Sequence, residues 1–162
     1  MPEPLDPRTF RDPASWLSGQ PVTLTVSGAS MEPFLLEGDR VDVVSAGPSD
    51  MVAGDLLVFL RGDEVIVHRF LAAKKGRFLE KGDAQGKGNW APWPGGFGRA
   101  VALWRGQERL GLERPPWPRQ MAALGRTHLR GHRLNELAQA LPGSFTRRIF
   151  LGLCRRTGLL PG

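Results

Sequence analysis

The chain has 162 residues, 41% of them apolar, and a formal charge of +6 whose excess gathers after about residue 99, where arginine dominates. That length fits one domain, or one domain with an appendage, and no uninterrupted apolar run approaches the roughly 20 residues a bilayer-spanning helix needs. Gly 21 and Pro 14 make up about a fifth of the chain, which favours short strands and turns over long helices. A single cysteine, Cys154, excludes an internal disulfide.

Residues 1–20 read as an extended lead-in. Met1 to Arg11 carries three prolines and four charges but no apolar h-region, so a secretory signal is not expected, and a cytoplasmic or peripheral-membrane location is. From Pro21 the pattern alternates, with Val22, Leu24 and Val26 on one face and Thr23 and Thr25 on the other. This is the signature of a half-buried strand. It runs into Ser27-Gly28-Ala29-Ser30-Met31-Glu32-Pro33. Gly28 and Ala29 clear side chains from around Ser30, and Pro33 fixes the exit of the chain. Such clusters are ordinarily turns, and Ser30 becomes a nucleophile candidate only if a base is found for it.

Further strands are expected at Arg40-Val41-Asp42-Val43-Val44 and, after a turn through Gly54-Asp55, at the apolar run Leu56-Leu57-Val58-Phe59-Leu60. Arg61-Gly62-Asp63 is hairpin chemistry and predicts antiparallel pairing with Glu64 to Phe70. His68 lies in that strand. A lone histidine among apolar residues is usually structural, but a neutral imidazole can accept the proton of a serine that is otherwise a weak nucleophile. A Lys74-Lys75-Gly76 turn leads to Arg77-Phe78-Leu79-Glu80 and to Lys81-Gly82-Asp83. Gly86 to Gly96 reads as a loop whose tryptophans cover apolar surface, and Gly98 to Arg105 as a closing strand.

In this order, Ser30-Met31-Glu32-Pro33, Gly38-Asp39, Gly54-Asp55, His68-Arg69, Lys81-Gly82-Asp83 and the final Gly98-Arg99-Ala100-Val101 strand resemble the type I signal peptidases, over about residues 22–105. The closer resemblance is to the subclass of archaea and the endoplasmic reticulum, in which His replaces the catalytic Lys. LexA and UmuD share the fold but use a Lys base, and His68 argues against them. The resemblance implies a mainly β, signal peptidase/LexA-like core with Ser30 as nucleophile and His68 as general base. The oxyanion would be met by the Ser30 N–H and the Ser27 hydroxyl, with Gly28 at the family's usual side-chain donor position. The substrate would be an extended leader or signal-like peptide added to an open sheet edge, with Val26 and Met31 walling small-residue pockets. Two features depart from the family. The acidic residue that orients the histidine falls at about Asn89, leaving Asn89 or Asp83 as third member, and no membrane helix is expected in the 29 residues before Ser30.

A peptide-binding module without catalysis is the alternative function. A basic nucleic-acid-binding protein is a third, with no aromatic-basic interleaving to support it. The core is expected over 21–112 and a Pro-rich linker over 113–119. A basic helical appendage is expected over 120–162, with one helix from Gln120 to Leu141 and another from Phe145 to Arg156. Those helices either pack on the core or offer arginines to an anionic membrane surface or acidic partner. His128 and His132 have i,i+4 spacing, but without carboxylates or cysteines nearby no metal site is expected, and no cofactor is either.

Overall fold

The computed structural model describes residues 21–113, 122–123 and 125–133. The lead-in, nearly all of the Pro-rich linker and the second basic helix lie outside the described residues. Those described form one antiparallel eight-stranded sheet. Its strands are β1 (Val22–Thr25), β2 (Arg40–Ser45), β3 (Leu56–Arg61), β4 (Glu64–Lys74), β5 (Arg77–Lys81), β6 (Asn89–Pro92), β7 (Phe97–Arg105) and β8 (Glu108–Gly111). Their order is β1-β2-β7-β3-β4-β5-β6, with β8 also on β7. Residues 125–133 form a helix, α1.

The continuous apolar run of β3 is covered on both faces, as such runs require. Leu56 and Val58 join Val22, Leu24, Val41, Val43 and Met31 in one cluster. Leu57 and Phe59 point the other way, to Met51, Phe70, Phe78 and Phe97. Trp93 closes the second cluster, stacked on Phe97 with centroids 4.9 Å apart and 5.0 Å from Phe78. Offset rings at such separations contribute beyond the area they bury.

Two turns set the register. β3 and β4 join through Gly62 at φ 61, pairing Arg61 with Glu64 and Leu57 with His68. β4 and β5 join at Lys75-Gly76, pairing Lys74 with Arg77, Ala73 with Phe78 and Ala72 with Leu79. The register then shifts by one, so that Phe70 opposes Glu80 and Arg69 opposes Lys81. Leu71 is the extra residue, a β-bulge. The stretch read from sequence as a loop, Gly86 to Gly96, contains β6. Its pairing with β5 makes it a short edge strand that ends on Pro92, a position where proline is tolerated.

Candidate active site

Ser30 is carried by the chain leaving β1. Gly28 takes φ 83, a left-handed conformation that side chains resist, and Ser30 opens a turn closed by Glu32 N–H to Ala29 O (3.2 Å) and Leu35 N–H to Met31 O (3.0 Å). Met31, 2% exposed, anchors that turn in the core, leaving the neighbouring Ser30 half-buried. From the other side, Ala84 N–H donates to Ser30 O at 3.0 Å. A Cβ on Gly82 would lie 2.5 Å from the same oxygen, so glycine is required there.

His68 is buried on β4, and its Nε2 lies 3.2 Å from Ser30 Oγ. Its Nδ1 meets Glu80 Oε2. Glu80 reaches it because Phe70, its cross-strand partner, shares a face with His68, and diagonal neighbours on one face lie within side-chain reach. Glu80 is 1% exposed. Burial alone would push its carboxyl up, but the hydrogen bond and charge of His68, the charge of Arg61 and a hydrogen bond from Asn89 outweigh it and hold the carboxyl below the ordinary range. Arg61 donates to Oε1 at 2.6 Å.

The residue on His68 Nδ1 is therefore neither of the two expected from the sequence. Asp83 is engaged with Arg69, which is fully buried and donates through Nε at 2.7 Å and a terminal nitrogen at 2.5 Å, while also donating to Gly54 O at 2.7 Å. A guanidinium with no exposure needs this bidentate carboxylate. Asn89 stands one layer behind, opposite Glu80 in the β5–β6 ladder, with its side chain on the carboxylate. A carboxylate at the centre of an apolar strand pairing is the signal that marked Glu80, and only the bulge at Leu71 brings it to the face of His68.

A cleft of about 690 Å³ opens beside Ser30 between Leu24 to Gly28 on one wall and Asp63 to Val67 on the other. Val26, Ser27, Gly28 and Met31 all line it. Both walls are open strand edges. Val26 N–H and C=O are used across β2, to Asp39 O and from Gly38 N–H, so by alternation the main-chain groups of Thr25 face away from β2. Phe70 likewise bonds to Asp55 and Gly54 beyond β3, which turns those of Val65 and Val67 outward. β5 begins to pair with β4 only at Arg69. Among the described residues no strand covers either edge.

Among the described residues no group of three or more His, Cys, Asp or Glu side chains could hold a metal ion, and no helix is long and apolar enough to cross a membrane. His128 and His132 are committed to the sheet: His128 Nδ1 to Lys81 Nζ at 2.7 Å, His132 Nδ1 to Gly88 N–H at 3.2 Å.

A sheet of this kind with a serine against a buried histidine defines a serine-peptidase-like scaffold. The chain belongs to the peptidase S24-like family, whose model matches residues 3–83, half of the sequence and the span that carries Ser30, His68 and Glu80. No curated protein and no solved structure matches the chain.

Proposed function

We propose that the protein is a serine endopeptidase that cuts a leader or signal-like segment from an extended peptide. The observation that carries this reading is the Ser30–His68–Glu80 line at the wall of a cleft with two open strand edges. A peptide lying in the cleft as an added strand would find main-chain partners at Thr25 on one side and at Val65 and Val67 on the other. Its scissile carbonyl then arrives where the strand edges end, at Ser30.

The chemistry follows from the order of the three groups. Glu80 accepts from His68 Nδ1–H and so leaves Nε2 as the acceptor. Ser30 Oγ passes its proton to Nε2 as it attacks the carbonyl carbon, the amine leaves with that proton, and water releases the acyl group by the same route in reverse roles. Glu80 stabilises the imidazolium formed in between, a charge that Asn89 at that position would not supply. Ser27 and Gly28, lining the cleft beside Ser30, are the places from which the oxyanion would receive its donors.

The test is labelling of Ser30 by a fluorophosphonate together with cleavage of a leader-bearing peptide, wild type against Ser30→Ala and His68→Ala. The reading expects labelling and cleavage in the wild type alone. Equal cleavage by all three proteins sinks it, and a wild type that binds the peptide but neither cuts nor labels would turn it into a peptide-binding module.

A further inference from the structure

The segment that holds Ser30 in place is itself held from outside the sheet. β5 ends at Lys81, whose Nζ donates to His128 Nδ1 on α1 at 2.7 Å and to Gly82 O at 3.3 Å. The other nitrogen of that imidazole, Nε2, lies 3.4 Å from Asp83 Oδ1. One turn further along α1, His132 Nδ1 accepts from Gly88 N–H. One turn earlier, a Cβ on Gly125 would lie 2.4 Å from Gly54 N, so the helix backbone rests directly on the turn whose carbonyl binds Arg69. Three successive positions on one face of α1 thus grip both ends of 81–88 and the Gly54 turn. Between those grips, Ala84 N–H bonds Ser30 O and Gly82 packs against it.

With Lys81 charged, the central contact admits one protonation state of the imidazole; burial lowers Lys81 from its ordinary value as well, and Asp83 opposes this. An imidazole that accepts from an ammonium at Nδ1 and faces a carboxylate with Nε2–H is neutral. A proton on Nδ1 would set two cations 2.7 Å apart with no acceptor between them. The charged groups around His128 are Lys81 from β5, Asp83 from the following loop and Arg69 from β4. Burial pushes His128 below its ordinary value, Lys81 and Arg69 add to this, and Asp83 opposes it.

We propose that α1 is a positioning clasp for Ser30, closed while His128 is neutral and opened by its protonation. The clasp is independent of the peptidase reading; only its effect on turnover rests on that reading. Because the docked histidine holds its proton more weakly than a free one, near 6.5, the clasp has its full strength above about pH 6.5. It weakens by up to about tenfold per pH unit below that value, down to the docked pKa.

Hydrogen–deuterium exchange of the full chain between pH 8 and 5, corrected for the intrinsic pH dependence of exchange, reads the clasp through the amides of 82–90. Labelling of Ser30 by a fluorophosphonate is followed in parallel. The expected result is protection of 82–90 at pH 8 that falls about tenfold or more by pH 5 in the wild type. In His128→Asn, whose Oδ1 is a neutral acceptor for Lys81, it should stay level, and His128→Gln is the second neutral variant. Wild-type labelling should then decline further in acid than labelling of the neutral variants, since His68 is common to all three. Level protection in the wild type, or the same acid loss in the neutral variants, overturns the clasp. If protection follows the expected pattern while Ser30 never labels, the clasp stands and the peptidase reading alone falls.

Discussion

Replacing Glu80 by Gln separates the three candidates for the group behind His68. The substitution keeps the size of the side chain and the contact with Asn89, but removes the charge facing both His68 Nδ1 and Arg61. Taking one partner from a buried charge pair costs about 3–5 kcal/mol. The imidazolium that forms as Ser30 gives up its proton would then lack its carboxylate, so the loss falls on the barrier. At about 1.4 kcal/mol per tenfold, single-turnover acylation of Glu80→Gln should slow by about 10²- to 10⁴-fold, with peptide affinity little changed. The rate of Ser30 acylation by a fluorophosphonate or an activated ester, measured by stopped flow on protein whose circular dichroism matches the wild type, checks it. Asn89→Ala should slow the same step by about tenfold, since it removes one amide hydrogen bond to a carboxylate that keeps its charge. A Glu80→Gln enzyme within tenfold of wild type, beside a larger loss in Asn89→Ala, would refute the assignment.

Asp83→Asn is expected to act on stability: Arg69, fully buried, would keep its charge without its carboxylate, and urea unfolding should show a loss of about 3–5 kcal/mol. Thr25→Pro removes an N–H that faces the cleft and leaves the partners of Val26 intact. It should lower kcat/KM for a peptide about 2- to 10-fold while leaving fluorophosphonate labelling unchanged. Because the Glu80 carboxyl is held below its ordinary value of 4.5, its stabilisation is complete above that pH and is lost as pH falls through the folded value. Unfolding midpoints measured from pH 7 to 3 should therefore drop less steeply in Glu80→Gln than in the wild type. Phe78→Ala, at the meeting of Phe59 and Trp93, should cost about 3–5 kcal/mol in the same unfolding assay.

The strands that frame the cleft were legible because their signals are local: alternation in Val22 to Val26, an unbroken apolar run at Leu56 to Leu60, and glycine turns at Gly62 and Gly76. The Ser30/His68 pair was legible as two residue types in a familiar order of blocks. The residue behind His68 was not, and the reason lies in one residue of register. Continued without interruption from its turn, the β4–β5 hairpin would pair Leu71 with Glu80 and His68 with Asp83, placing Asp83 opposite the histidine and Glu80 on the far face. The bulge at Leu71 moves every later pairing by one, and a one-residue slip exchanges the faces of a strand. Glu80 then shares a face with His68, and Asp83 goes to Arg69. An apolar leucine in a run of Phe70-Leu71-Ala72-Ala73 carries no mark of a bulge, and what the shift changes is which acid each group meets: the buried guanidinium takes Asp83 on one face and the buried imidazole takes Glu80 on the other. Arg69 and His68 are adjacent, so their side chains point to opposite faces, and each needs an acid from β5 or the loop after it. Glu80, in β5, and Asp83, in the turn after it, reach opposite sides, one to His68 and the other to Arg69. Either register leaves one acid to each face, and the shifted one assigns Glu80 to His68 and the bidentate Asp83 to Arg69. The pairing behind His68 is thus fixed together with the pairing of Arg69, and a change that frees either acid is expected to disturb the other.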